Sequence, residues 1–132
     1  MEESEVEIIR EKLPNKKLLR LIHIDSDGTL LTDINKIKIA DFYFTDSINM
    51  KTNQVGGTGL VHNLDTDKKL IETLDKPVFI AGGLNPDNVA DAVRYCKPYG
   101  VDVNSGCRAS NGMRDKQKVI DFVKNASKSF NN

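Results

Sequence analysis

Two glycine turns carry the strongest chemical signal in this chain. Phe79-Ile80-Ala81 runs straight into Gly82-Gly83, and Leu84-Asn85-Pro86-Asp87-Asn88-Val89 then reads as a helix start, with Asn85 as cap and Pro86 at the first helical position. Such a turn lets backbone approach a ligand closely and aims free helix N–H groups at an anion, most often a phosphate. Val101-Asp102-Val103-Asn104-Ser105-Gly106 repeats the pattern one unit later. Gly82, Gly83, Ser105 and Gly106 are therefore candidates for one phosphate-holding edge. Two aspartates end earlier apolar runs in the same way: Asp25 follows residues 18–24, and Asp46 follows residues 39–45.

These residues need strands and helices to hold them. Ser4-Glu5-Val6-Glu7 has the form of a capping box, and Val6, Ile9 and Leu13 form an apolar stripe, so a helix is expected over 4–13, stopped near Pro14. Strands are expected over 18–24, 39–45, 78–81 and 100–103. Helices are expected over 67–74, 86–95 and 116–126, the last with Val119, Ile120 and Val123 as its apolar positions. The tail from Lys128 is expected to fray. Apolar strands alternating with helices imply an α/β fold with parallel pairing through right-handed crossovers. In such folds ligands sit at the C-terminal ends of the strands, where all four polar positions fall. The plainer reading, that Gly and Asp merely serve as turn residues, competes at each position taken singly.

The bulk composition narrows the classes. The 132 residues make one domain, and 19 Lys plus Arg balance 19 Asp plus Glu, so no positive field favours nucleic acid or an anionic membrane. No run approaches the ~20 apolar residues of a membrane span, and the acidic start Met1-Glu2-Glu3-Ser4 is unlike a secretory signal. A cytoplasmic protein is expected. Cys96 and Cys107 fit no ligand spacing with His23 or His62, so neither a metal nor another cofactor is expected.

Four pieces together resemble the C-terminal half of phosphoribosylanthranilate isomerases, over residues 40–126. They are Tyr43-Phe44-Thr45-Asp46-Ser47, Gly56-Gly57-Thr58-Gly59, the stretch 79–89, and Gly100-Val101-Asp102-Val103-Asn104-Ser105-Gly106. The resemblance implies strands five to eight of a (β/α)8 barrel. It also implies an Amadori rearrangement in tryptophan biosynthesis: an acid protonates the furanose oxygen to open the sugar, and a base takes the proton from C2′. Asp46 matches the family's general acid, which must hold its proton near neutral pH through burial. Gly82, Gly83, Ser105 and Gly106 match the phosphate cradle. Gly56, Gly57, Thr58 and Gly59 match a loop closing over the substrate, and Asp102 matches a residue beneath the anthranilate side. The implied partner is a phosphorylated sugar–anthranilate small molecule.

The match has departures. The family's base is a cysteine ending the first strand, and neither Cys96 nor Cys107 holds that place. The arginine for the anthranilate carboxylate also belongs to the other half. Arg108 stands where the family usually has Glu, and Leu64 where it often has Trp. Separately, residues 18–24 followed by Asp25-Ser26-Asp27-Gly28-Thr29-Leu30 are similar to the first motif of haloacid dehalogenase-like phosphatases. There the first Asp is nucleophile and the second general acid, beside Mg²⁺. That chemistry also needs a downstream Lys and an acidic pair, and no strand-end acidic pair follows Asp46. Half a barrel would leave the inner face of its sheet bare, with Ile22, Ile24, Phe42, Phe44 and Val101 meeting water. Self-association or a separate N-terminal half-barrel is therefore expected to cover it.

Overall fold

The computed structural model describes residues 1–47 and 58–131, with the backbone alone over 58–63. Its elements run α1 (Glu3–Lys12), β1 (Leu19–Ile24), β2 (Phe42–Ser47), α2 (Thr58–Thr73), β3 (Val78–Ala81), α3 (Val89–Cys96), β4 (Gly100–Val101) and α4 (Lys116–Phe130). The strands form one sheet in the order β1-β2-β3-β4, each neighbouring pair parallel. The expected alternation of parallel strands with helices is what the chain adopts.

The two faces of the sheet differ. On one, Ile22, Ile24, Thr45, Val78 and Ile80 are buried under the helices, where Leu84, Val89, Ala92, Val93, Phe122 and Ala126 complete the core. On the other, Leu19 and Leu21 of β1 are exposed, and Phe42, Phe44 and Phe79 are half-covered by one another and by Tyr99. Ring centroids in that cluster lie 5.3–6.1 Å apart, the spacing of favourable edge and offset contacts. The bare face is therefore real, but its membership corrects the expectation. Ile22 and Ile24 face the helices, as does Val101, which packs against the helix-side core. Leu19, Leu21, Phe79 and Tyr99 take their places. The period of two is strict, so reading the wrong residues of β1 as inward-facing sends them to the opposite side.

Other boundaries shift for local reasons. Helix α1 starts one residue early, because Glu2 rather than Ser4 opens it and its amide donates to Glu5 Oε2 at 2.7 Å. Two ion pairs pin this helix to the strand starts: Arg10 to Asp41 at 2.6 Å and Arg20 to Glu3 at 2.9 Å. Helix α2 begins at Thr58, nine residues before the expected 67. Helix α3 begins at Val89, yet Asn85 still acts as a cap, since its Oδ1 accepts from the amides of Asp87 (2.8 Å) and Asn88 (3.0 Å) in the turn before it. Asp115 caps α4 by accepting from Lys118 N at 3.1 Å, and the helix runs on to Phe130 where fraying was expected. Buried Ser129 ties that last turn down through its hydroxyl, which donates to the Asn125 carbonyl at 2.8 Å.

The outer edge of β1 is partly closed by the chain itself. After a tight turn, Leu30 bridges back to Ile24 antiparallel, Leu31 N donates to the His23 carbonyl at 2.9 Å, and His23 N donates to Thr32 Oγ1 at 2.9 Å.

Candidate active site

The C-terminal ends of the strands converge through close backbone approaches that only glycine permits. Gly82 has φ +84°, and a Cβ there would lie 2.4 Å from Ser47 N, so the turn after β3 is pressed against the end of β2. Gly106 brings the next turn in equally closely, since its Cβ would meet the Leu84 carbonyl oxygen at 1.9 Å. Gly83 also has a left-handed φ, of +70°. Among the described residues no backbone acceptor takes the amide N–H of Gly83, Ser105 or Gly106. Those donors stand together at one end of the sheet, as an anion site requires. The second turn leads into a single 3₁₀ turn, Ser105–Cys107, and α4 starts at Lys116, where a helix is expected.

Asp46 lies on the open face, since its neighbour Thr45 is buried beneath the helices. It is half-buried and stands in register with Ala81 of β3 and His23 of β1. Asp102 follows β4, is exposed, and anchors its amide on the Ile80 carbonyl at 3.0 Å. Asp46, Asp102 and the two glycine turns thus share one end of the sheet. In the sequence His23 fits no metal spacing and belongs to no motif. The signal that finds it is strand alternation, which puts it on the face of Asp46 once Ile22 and Ile24 are known to be buried.

Several expected participants fall elsewhere. Gly56 and Gly57 lie outside the described residues, while Thr58 and Gly59, expected in a closing loop, are the first residues of α2. Asp25 and Asp27 serve their own turn. Asp25 Oδ1 accepts from the amides of Asp27 and Thr29, both at 3.0 Å, and Asp27 Oδ1 accepts from the Thr29 hydroxyl at 2.9 Å. Among the described residues no three His, Cys, Asp or Glu side chains are placed to hold a metal ion. Both cysteines are buried; burial pushes the Cys96 thiol up to about 12 and raises that of Cys107. Neither is fitted to take a proton near neutral pH.

Arg108 closes the 105–107 turn, donating to Asn104 Oδ1 at 3.1 Å, while Arg114 donates to the Asn104 carbonyl at 2.9 Å. A groove of about 390 Å³ runs past Asn85, Ser105 and Gly106 to Lys118, with Asp87 and Asp121 in its walls. Two carboxylates against one ammonium make it a poor host for phosphate.

Residues 2–125 match the family model of N-(5′-phosphoribosyl)anthranilate isomerase. This chain belongs to that family. The match takes in α1 and β1, which lie before residue 40. N-(5′-phosphoribosyl)anthranilate isomerase 2 of Methanosarcina mazei is 37% identical over 122 residues, covering 92% of this chain and 54% of the relative. The isomerase of Haloferax volcanii is 53% identical over 68 residues, 52% of this chain and 31% of the relative. The solved phosphoribosyl anthranilate isomerase of Thermococcus kodakaraensis superposes with a TM-score of 0.71 at 23% identity, covering 95% of this chain and 58% of that one. At that identity the likeness is one of fold, and the fold is of the TIM-barrel type. The chain spans about half the length of the curated relatives it matches. Among the described residues no helix is long and apolar enough to cross a membrane.

Proposed function

We propose that this chain carries the acid and the phosphate cradle of a phosphoribosylanthranilate isomerase, as the C-terminal half of its barrel. The observation that carries the reading is the grouping of Asp46 with the amides of Gly83, Ser105 and Gly106 at one end of a four-stranded parallel sheet. The reaction is the Amadori isomerisation of N-(5′-phosphoribosyl)anthranilate. The glycine turns hold the substrate phosphate, and Asp46 gives a proton to the furanose oxygen as the ring opens. Loss of the C2′ proton to a base then yields the enol, and the ketose follows. Asp102 lies beneath the anthranilate side, and Gly56 to Gly59 close over the substrate. By the family pattern the base is a cysteine in the half of the barrel that precedes these strands. The buried thiols of Cys96 and Cys107 do not replace it. Turnover therefore needs a complementary half-barrel or self-assembly, in the cytoplasm where the pathway's other soluble steps would run.

The test is turnover of phosphoribosylanthranilate by the purified chain, followed by loss of substrate fluorescence, alone and with a separately made N-terminal half of a relative. Asp46→Asn should lower kcat by roughly a hundredfold or more, leaving affinity for a phosphate-bearing product analogue nearly intact. Gly83→Val should do the reverse, because a β-branched residue at a left-handed φ distorts the cradle. Undiminished turnover in the Asn variant rejects the acid. Analogue binding without turnover in either preparation favours a second reading, a phosphate-binding remnant, to which the buried thiols already point.

A further inference from the structure

Asp67 points from α2 into the core, where it is 2% exposed, and its Oδ1 has no hydrogen-bond partner among the described residues. Two more polar side chains end close by. The Thr45 hydroxyl of β2 is fully buried and equally unpartnered. The Cys96 thiol of α3, also buried, donates to the Leu64 carbonyl of α2 at 3.4 Å, about one helical turn from Asp67. Helix α2, helix α3 and the sheet thus meet around a carboxyl that no cation neutralises. A neutral carboxyl is tolerated in such a place, whereas a carboxylate there lacks both water and a partner. Burial accordingly pushes this carboxyl up to about 6. Charged groups on the surrounding elements are engaged elsewhere. On α2, Lys68 pairs with Glu72 at 3.1 Å, Asp65 accepts from the Tyr95 hydroxyl, and Lys69 is exposed. On α3, Arg94 pairs with Asp91 at 2.6 Å. β3 turns only Val78 and Ile80 to the helices. The turn that meets α2 at Gly28 holds Asp25 and Asp27 in its own hydrogen bonds.

We propose that α2 is a pH-sensitive strap over the Thr45 and Cys96 side of the core, held down while Asp67 keeps its proton and lifted more often once Asp67 ionises. The device goes beyond the isomerase reading and does not depend on it. Lifting exchanges a buried carboxylate for a hydrated one, and the proton passes to solvent. A helix makes its backbone hydrogen bonds internally, so the stretch Leu64–Thr73 leaves the sheet as a unit. Its described polar attachments are weak enough to yield: the Thr66 hydroxyl on the Gly28 carbonyl, Lys68 Nζ on the Tyr95 carbonyl, and the Cys96 thiol on Leu64. The docked form binds the proton more tightly than the lifted form. Docking is therefore strongest below about pH 4 and weakens as pH rises through about 6. Cys96 loses its cover when α2 lifts. Cys107 does not, because its thiol lies against α4, on the Lys118 carbonyl at 3.6 Å.

The deciding experiment is alkylation by iodoacetamide between pH 5 and pH 8, with peptide mass mapping to read Cys96 and Cys107 separately. Rates in the native chain are divided by those in Asp67→Asn at the same pH, which removes the ordinary growth of thiolate. The Cys96 ratio should rise about tenfold or more across this range, and the Cys107 ratio should stay constant. A Cys96 ratio independent of pH overturns the strap, because the Asp67 proton is then not linked to opening. An equal rise at both cysteines overturns it too, because the whole domain then opens. Amide hydrogen exchange of the native chain gives the same decision without any variant. Corrected for the intrinsic pH dependence, protection at Leu70 and Ile71 should fall about tenfold from pH 5 to pH 8 while Ile80 holds. No loss at α2, or an equal loss at Ile80, rejects the proposal.

Discussion

Asp67 lies on α2 with its side chain against the sheet, only 2% exposed, and Oδ1 finds no partner among the described residues. Burial raises its carboxyl from 3.8 to about 6, eased a little by the nearby Thr45 hydroxyl, which does not reach full hydrogen-bond geometry. The folded chain therefore holds this proton more tightly than the unfolded chain does. The stabilisation is complete below about pH 4 and is lost as pH rises through about 6. Relative to Asp67→Asn, which has no proton to lose, the native chain should lose on the order of 2–3 kcal/mol between pH 4 and pH 8. Urea unfolding of both at the two pH values measures this, and a constant difference would refute the buried-carboxyl account. Nothing in the sequence singles out Asp67, because a lone Asp at an apolar helical position looks like any solvated residue. The strand-end places of Asp46 and of the paired glycines are legible, since apolar runs of strand length stop at them.

At the scale of elements, α4 shows where helical period misleads. Val119, Ile120 and Val123 read as its apolar face, yet they are 38–56% exposed, while Phe122, Ala126 and Ser129 are buried. Both stripes obey a helical repeat, and only docking against α3 and the 105–107 turn chooses between them. Phe122→Ala should therefore cost about 3–5 kcal/mol, whereas Val123→Ala should stay within about 0.5 kcal/mol. Chemical denaturation of both variants tests the assignment, and similar losses would contradict it. Helix α2 is longer than its local signals for a related reason. Glycines at 56, 57 and 59 read as loop, although Leu60, Leu64, Leu70 and Ile71 continue one helical repeat through Thr58–Thr73.

For the molecule as a whole, the open face is the governing fact. Leu19 and Leu21 are 50% and 43% exposed beside the ring cluster of Phe42, Phe44, Phe79 and Tyr99. Covering one such side chain is worth ~1.5–3 kcal/mol, a large share of a domain's ~5–15 kcal/mol. The chain should accordingly associate, with itself or with a complementary half-barrel. Sedimentation showing a stable, well-folded monomer at micromolar concentration would count against this. Closure at the β1 edge has a cost, because Leu31 and Thr32 already use the His23 backbone groups. Association through that edge should slow hydrogen exchange along β1 up to Leu21 and change it at Leu31, whereas association through the face alone should leave Leu31 unaltered.

The sequence by itself determined the parallel α/β alternation, the family, and the positions of Asp46, Gly82, Gly83, Ser105 and Gly106. Each of these follows from local rules: strand-length apolar runs, turn residues with special dihedral freedom, and motif spacing. Tertiary structure alone decided which residues of β1 face the helices, which stripe of α4 is buried, and that His23 and Asp46 stand side by side. Those outcomes depend on register and docking between segments distant in the chain. A shift of one residue in a strand, or of a quarter turn in a helix, leaves the local pattern intact while exchanging buried for exposed.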